Sequence, residues 1–264
     1  MTEAETRHTG NGHPLGTPCW ASLMVHELAP AQDFYRQLFG WEFRSGPQQL
    51  GPYVRGTLAD REVAGIGEVP AGRPLHVAWL PYMASPDADG TASLIRECGG
   101  TVAVGPLDAE EAGRLAIASD PTGAPFGVWQ AGAHRGLGNH ERGAPGTPAW
   151  YELLVRDTAA AAAFYPMIFG YAAEQEKEDE GDFVTLRVDG VPVAGVHGLG
   201  DELPRDRGPH WKTYFAVEDT EATVRLAVEL GGGVLEEPHD APYGRRASLT
   251  GPEGEEFSVV RPSV

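Results

Sequence analysis

The feature that most constrains what this chain can fold into is an internal repeat. Gly16–Gly40 reads GTPCWASLMVHELAPAQDFYRQLFG, and Gly146–Gly170 reads GTPAWYELLVRDTAAAAAFYPMIFG. Twelve of these 25 positions are identical at an offset of 130, far beyond chance. The match continues in order. Val63-Ala64-Gly65 recurs as Val193-Ala194-Gly195, and Trp79, Tyr82, Ala84 and Asp87 recur as Trp211, Tyr214, Ala216 and Asp219. Leu94, Gly99 and Gly100 match Leu226, Gly231 and Gly232, and Pro121, Gly123 and Phe126 match Pro252, Gly254 and Phe257. Self-similarity at a fixed period means one structural unit made twice.

Each copy has its own internal rhythm. Trp20–Val25 alternates like a strand, and Ala31, Phe34, Tyr35, Leu38 and Phe39 are spaced as one face of a helix ended by Gly40. Strand-like runs follow at Trp41–Phe43, Tyr53–Leu58 and Glu62–Val69. A strand over Leu75–Met83 then precedes a helix over Asp87–Cys98, with strands at Thr101–Gly105, Arg114–Ser119 and Phe126–Gln130. The order strand, helix, three strands thus occurs twice per copy, and the fold class is α+β with four βαβββ units. Ala131–Thr147 holds five glycines with His134, Arg135, His140 and Arg142, the composition of a linker. The expected division is a disordered polar lead over 1–15, a first module over 16–131, a linker over 132–145 and a second module over 146–264.

Composition removes several function classes. The net charge of −18 repels phosphate backbones and anionic lipid, so neither nucleic acid nor membrane is an expected partner. No apolar run is long enough to span a bilayer, and the N-terminus lacks an apolar signal core, which points to the cytoplasm. Cys19 and Cys98 are too few for a disulfide framework and lack metal-ligand spacing; Cys98 falls where the second copy has Leu230, so an apolar role is expected. Glu174–Asp182, with six acids and one lysine, reads as a solvated turn. Ser22 and Ser258 have no His–acid arrangement beside them, and no phosphate-binding glycine loop is present.

The paired Phe34-Tyr35/Phe39-Gly40 and Phe164-Tyr165/Phe169-Gly170 segments, with the Asp120–Gly123 and Gly251–Gly254 turns each before a last strand, resemble the vicinal oxygen chelate superfamily. That superfamily includes glyoxalase I, extradiol dioxygenases and the fosfomycin and bleomycin resistance proteins. The resemblance runs from Gly16 to Pro262 and is nearest to the tandem two-module members common in actinobacteria, some of which accompany natural-product pathways. It implies two modules, each a pair of βαβββ units forming a cup-shaped, incomplete β-barrel around a small-molecule cavity.

In metal-using members, His or Glu side chains from three strands hold a divalent cation at about 2.0–2.2 Å. By position those ligands fall on Trp20, Leu80 and Gly127 in copy one, and on Trp150, Lys212 and Ser258 in copy two. None is a competent ligand, so no metal and no other cofactor is expected. Strand alternation places Ser22, Tyr82, Trp129 and Gly67 on the inward face of copy one, and Glu152, His197, His210, Lys212, Tyr214 and Val260 on that of copy two.

Two functional readings stand in front of a third. In the first, the cups bind a planar, aromatic or polyketide-like molecule for sequestration, resistance or delivery. Trp20, Ser22, Leu80, Tyr82, Trp129, Trp150, His197 and Ser258 would contact it, with indole faces stacking on a flat ligand. In the second, copy two is a metal-free acid–base catalyst of isomerisation, cyclisation or elimination. Glu152 is the base, and Lys212, His210 or Tyr214 polarises a carbonyl. Burial raises the pKa of such a carboxylate and a lysine beside it lowers it. A glyoxalase or dioxygenase built on an offset Glu152, His197, His210 metal site is a third. The bland alternatives are core tryptophans and a satisfied Glu152–Lys212 ion pair. Monomer and homodimer are both compatible with the duplication.

Overall fold

The computed structural model describes residues 12–48, 51–69, 77–138, 143–176, 181–205 and 207–263. Copy one supplies β1 (Pro18–Val25), α1 (Leu28–Phe39), β2 (Glu42–Ser45), β3 (Tyr53–Leu58) and β4 (Arg61–Glu68), then β5 (Trp79–Ala84), α2 (Ala88–Glu97), β6 (Thr101–Ala109), β7 (Gly113–Ser119) and β8 (Pro125–Ala131). Copy two repeats the order with β9 (Pro148–Val155), α3 (Ala159–Phe169), β10 (Ala172–Gln175), β11 (Asp182–Val188) and β12 (Val191–Gly198). It finishes with β13 (His210–Ala216), α4 (Thr220–Glu229), β14 (Gly233–Ala241), β15 (Gly244–Thr250) and β16 (Glu256–Pro262). Four βαβββ units are therefore present. They form two eight-stranded mixed sheets, ordered β2-β3-β4-β1-β5-β8-β7-β6 and β10-β11-β12-β9-β13-β16-β15-β14. Neither sheet closes into a barrel.

The local chemistry explains the elements. Both first helices stop at a left-handed glycine, Gly40 at φ 73° and Gly170 at φ 71°, where a side chain would be strained. The second helices begin at Asp87 and Asp219, whose side chains accept the amides of Gly90 and Ala222. The amides of His26 and Glu27, at the start of α1, donate to the Glu253 carboxylate at 2.7 and 2.8 Å. At the start of α3 that job falls to Asp182, which accepts from the amide and hydroxyl of Thr158 at 2.9 and 2.6 Å.

Several boundaries differ from the sequence reading. The first helix starts at Leu28, three residues before Ala31, because Pro30 sits in its first turn, where a proline costs no hydrogen bond. β5 begins at Trp79, not Leu75; positions 70–76 fall outside the described residues, with His76 among them. β6 runs through Gly105-Pro106 to Ala109, its register shifting between Val102 and Leu107. An outer strand tolerates a proline at such an irregularity. His134, expected as a polar linker residue, is buried with its ring 5.4 Å from that of Trp129. Cys98 is half-buried rather than enclosed.

The expected disordered lead lies mostly outside the described residues, but Pro14 accepts the Thr17 amide. His140 and Arg142 of the linker and positions 177–180 of the acidic turn are also outside. The described acids of that turn are engaged: Glu174 pairs with Arg187, Glu176 accepts from Thr185, and Asp182 holds Thr158. Among the described residues, no helix is long and apolar enough to cross a membrane.

Compactness follows neither copy. One compact unit joins residues up to Cys19 with Pro81–Gly136 and Tyr151–Trp211; the other joins Trp20–Leu80, Leu137–Trp150 and the chain from Lys212 onward. Each unit thus combines one βαβββ half from each copy. In the second unit, Tyr35, Phe39, Trp41, Trp79, Phe215 and Phe257 form one aromatic core, with ring centroids 5.0 to 6.1 Å apart in neighbouring pairs. At its centre the Tyr35 hydroxyl donates to Glu255 at 2.9 Å and accepts from Trp79 Nε1 at 3.1 Å. The first unit contains the matching triplet: the Tyr165 hydroxyl donates to Asp120 at 3.1 Å and accepts from Trp211 Nε1 at 3.1 Å. Trp41 Nε1 donates to the Gly146 carbonyl at 2.7 Å, and the equivalent Tyr171 hydroxyl donates to Gly16. Every one of these bonds except those to the tryptophans of strands β5 and β13 joins one copy to the other, so the Phe-Tyr helix and the Pro-x-Gly turn are partners in packing.

The two turns place their carboxylates by different routes. In copy one it comes from Asp120, the first residue of the turn, with Ala124 behind it. In copy two that first position is Gly251, and Glu255 supplies the carboxylate from the place of Ala124. A Cβ on Gly251 would lie 1.9 Å from Glu255 Oε1, so the glutamate fills the space the aspartate side chain takes in copy one. Burial pushes both carboxyls above the ordinary carboxylate range, against hydrogen bonds that pull them down.

Candidate functional site

The inward-facing positions differ between the copies from the first strand onward. In copy one, Trp20 and Ser22 are buried on β1, and both reach the same partner, Tyr53 on β3. Trp20 Nε1 donates to the Tyr53 hydroxyl at 2.9 Å, and Ser22 Oγ lies 2.6 Å from it. Tyr53 lies across Gly65 of β4: a Cβ there would sit 1.8 Å from the phenol oxygen. Burial raises the phenol pKa above its usual value, with the bonds from Ser22 and Trp20 opposing. Beside this neutral trio, Arg55 of β3 pairs with Glu62 of β4 at 2.5 Å, an ion pair close enough to act on the Tyr53 phenol.

The same backbone positions in copy two carry different chemistry. Glu152 replaces Ser22, Phe183 replaces Tyr53 and His197 replaces Gly67. Phe183 again lies across a glycine, Gly195, whose Cβ would meet its ring at 2.5 Å. Having no hydroxyl, it contributes only its ring edge, 5.6 Å from the His197 ring at 67°. Glu152 is buried, with 4% of its surface exposed. Its Oε1 is 3.0 Å from His197 Nδ1, and the histidine side chain keeps 30% exposure. With Glu152 ionised, Nδ1 is the donor, which fixes the tautomer that leaves the Nε2 lone pair available. A buried carboxylate orienting a histidine that reaches solvent is an arrangement that can exchange protons with a ligand.

The second halves of the copies differ just as consistently. One row of residues runs across each sheet in register. In copy one it is Tyr82, Gly127, Ile117 and Val104. In copy two it is Tyr214, Ser258, Ser248 and Glu236. Tyr82 packs over Gly127, where a Cβ would lie 2.2 Å from its ring. In copy two Ser248 and Ser258 are buried, their hydroxyl oxygens 3.0 Å apart, and Ser248 donates to Glu236.

Lys212 joins this row from β13, at the position of Leu80. It is 8% exposed, donates to Ser248 Oγ at 3.3 Å and is ion-paired with Glu256 Oε1 at 2.9 Å. The carboxylate bonded to Lys212 is thus Glu256, while that of Glu152 meets His197. For Glu236, burial raises the carboxyl pKa. The Ser248 hydrogen bond and the charges of Lys212, Arg246 and His239 outweigh it and hold the group below its ordinary value.

The remaining candidates are placed as follows. His210 is half-buried at the start of β13, with Nδ1 2.7 Å from the Gly208 carbonyl oxygen. Tyr214 is buried and Trp150 is half-buried. Leu80 and Tyr82 are half-buried, while Trp129 is buried and donates from Nε1 to the His134 carbonyl at 3.0 Å.

Sequence alternation did not single out Tyr53, Phe183, Ser248, Glu236 or Glu256. A signal for the first two was present, an aromatic at one offset facing a glycine at the same offset.

The donor sets at the positions where the resemblance places the superfamily's cation are unlike those that hold one. Indole N–H, a leucine and glycine in copy one, and an indole, an ammonium and a hydroxyl in copy two, do not fit a divalent ion. Among the described residues, no three His, Cys, Asp or Glu side chains converge to hold one elsewhere.

Comparisons with known proteins agree with the architecture. A glyoxalase-like domain family model matches residues 151–260. The anthracycline biosynthesis protein DnrV of Streptomyces peucetius is 36% identical over 260 residues, covering 93% of each chain. DauV of Streptomyces sp. (strain C5), of the same description, is 37% identical over 261 residues with 93% of each covered. The solved 2,3-dioxygenase LapB from Pseudomonas sp. KL28 superposes at a TM-score of 0.66 over 95% of this chain and 94% of its own, at 15% identity, a likeness of fold. The chain belongs to the glyoxalase-like proteins of the vicinal oxygen chelate superfamily, in their tandem two-module form.

Proposed function

We propose that the second copy performs metal-independent acid–base chemistry on a small aromatic or polyketide-like molecule, of the isomerase, cyclase or lyase kind. The observation that carries this reading is the Glu152–His197 pair. Glu152 accepts a hydrogen bond from the Nδ1–H, stays ionised, and stabilises the imidazolium that forms when His197 Nε2 takes a proton from the ligand. The pair then returns that proton to another ligand atom or to solvent through the exposed edge of the ring. Glu152 supplies the basicity through His197, and the carbonyl-polarising role is proposed for His210, Lys212 or Tyr214. The contact candidates for a flat ligand in this copy are Trp150 and Ser258; Trp20, Ser22, Leu80, Tyr82 and Trp129 are those of the first copy, where a ligand would be bound without reaction. The relatives' description as anthracycline biosynthesis proteins agrees with a ligand of this class.

The reading takes residues 16–131 and 146–264 as the two modules and 132–145 as their link. It places the protein in the cytoplasm, with two free cysteines as support, as a monomer or homodimer.

Glu152→Gln keeps the shape but removes the charge. Turnover of an aromatic polyketide-type substrate should fall by about 10²–10⁴ with ligand affinity nearly unchanged. Unaltered turnover in that variant would refute the proposal, and so would stoichiometric Zn, Ni, Mn or Fe whose removal abolishes activity. A chain that binds such ligands by tryptophan quenching but never turns them over is a sequestration protein instead.

A further inference from the structure

Five positions change together between the copies. Leu80, Val104, Ile117, Pro125 and Gly127 are all without polar side-chain atoms, and their counterparts are Lys212, Glu236, Ser248, Glu256 and Ser258. Of these copy-one positions Gly127 is buried and Val104 and Pro125 are exposed, whereas in copy two Lys212, Ser248 and Ser258 are all buried, and buried polar groups cost stability unless their bonds are met. The copy-two residues meet theirs within the set.

Proton accounting shows how the set is wired. Ser248 has one hydrogen to give and two lone pairs to offer. Its hydrogen goes to Glu236 Oε2. It accepts from Lys212 Nζ at 3.3 Å, and Ser258, 3.0 Å away, must then donate to it as well. All the capacity of Ser248 is used, and its bonds point one way, from the buried ammonium to a carboxylate on β14 that is exposed to solvent. Glu256 balances the lysine charge from β16, and Arg246 and His239 stand near Glu236 on β15 and β14.

The choice of cation supports a mobile proton. The chain has 20 Lys and Arg residues, of which the only lysines are Lys177 and Lys212. Arginine is the better residue for a fixed, buried ion pair and never gives up its proton; lysine can. The single described lysine stands at the head of the hydrogen-bonded row.

We propose that Ser248 and Glu236 form a proton relay connecting the Lys212 ammonium with solvent. In one step a Lys212 N–H bond breaks and its proton joins Ser248 Oγ, while the Ser248 proton passes to Glu236. Lysine becomes a neutral amine, serine is regenerated and Glu236 becomes a neutral acid that releases the proton to water. The reverse sequence recharges the lysine. The inference deepens the acid–base reading by giving Lys212 a route for proton exchange; Ser248 and Glu236 are relay residues, not groups that touch a ligand.

The test needs no substrate. Nitrogen NMR of lysine-labelled protein shows two ammonium signals, assigned by Lys177→Arg, and reports how fast Lys212 exchanges protons with water. The relay predicts at least a tenfold slower exchange in Ser248→Ala and in Glu236→Gln, which keeps an acceptor oxygen but cannot carry the proton. Ser248→Thr, which restores the hydroxyl, should return the wild-type rate. If Ser248→Ala does not fold, Glu236→Gln decides alone. Wild-type exchange rates in Glu236→Gln overturn the relay. The acid–base reading is judged separately by turnover of Glu152→Gln, so either idea can fail without the other.

Discussion

The row Tyr82, Gly127, Ile117, Val104 and the row Tyr214, Ser258, Ser248, Glu236 occupy equivalent places in the two sheets, yet one is apolar and the other is a hydrogen-bonded chain. The same contrast separates Ser22, Tyr53 and Gly67 from Glu152, Phe183 and His197. Where the copies must pack, they agree: the Tyr–carboxylate–Trp triplets around Tyr35 and Tyr165 differ only in which residue delivers the carboxylate. Duplication has preserved the frame and released the inward faces. The first copy keeps a neutral Tyr53–Trp20–Ser22 cluster beside an Arg55–Glu62 ion pair that the second lacks. The second carries Glu152, His197, Lys212, Glu236 and Glu256 where the first has Ser22, Gly67, Leu80, Val104 and Pro125, and the proposed chemistry rests on that divergence.

The comparison can be broken in graded steps. The largest effect on stability should follow Lys212→Leu, which restores the copy-one residue but strands Glu256 and the serine row. Removing one member of a buried pair costs about 3–5 kcal/mol, read from urea unfolding. Adding Glu256→Ala should recover a substantial part, and no recovery would mean the pair is not the coupled unit described. Next is Asp120→Gly, which leaves the Tyr165 hydroxyl without its acceptor at a cost of about 1–3 kcal/mol. Adding Ala124→Glu reproduces the copy-two arrangement and should restore most of the loss. Failure of this rescue would show that the two turns are not interchangeable. Tyr53→Phe, which matches the apolar ring of copy two, should cost about 1–2 kcal/mol by leaving Trp20 Nε1 and Ser22 Oγ to find other partners.

The smallest effect is the pH dependence tied to the raised carboxyls. A group whose folded pKa lies above its unfolded value contributes stability that is complete below the unfolded pKa and is lost as pH rises through the folded one. For Glu255 that window opens near the ordinary glutamate value and extends upward. Glu255→Gln cannot ionise, so its melting temperature should gain on that of the wild type as pH rises through the window. A constant difference between the two proteins from acid to neutral pH would show that Glu255 does not titrate this way.

Much of the frame was legible in the sequence, because apolar spacing and repeated glycines are local signals. The Phe34-Tyr35 helix, the Gly40 stop and the exact span Tyr53–Leu58 could be read directly. Strand β6 could not be followed past Gly105-Pro106, since a proline ends most strands and only an outer, irregular one admits it. The bond between Tyr35 and Glu255 spans 220 positions, and no local pattern links them. On the inward face of copy two, strand alternation offers a Glu152–Lys212 pair, whereas the structure pairs Glu152 with His197 and Lys212 with Glu256. Glu256 reaches Lys212 only through the parallel neighbours β13 and β16, and the Ser248–Glu236 contact needs the register of β14 on β15, which shifts at Glu236.

The central claim is that the second copy, through Glu152 and His197, carries the reaction. It is tested most directly by giving copy two the copy-one residues at three positions, Glu152→Ser, Phe183→Tyr and His197→Gly, and measuring turnover of a substrate the wild type converts. The account predicts that turnover falls to background while the variant stays folded and binds the ligand within a few-fold of wild type. Turnover retained near the wild-type level in that triple variant would contradict it.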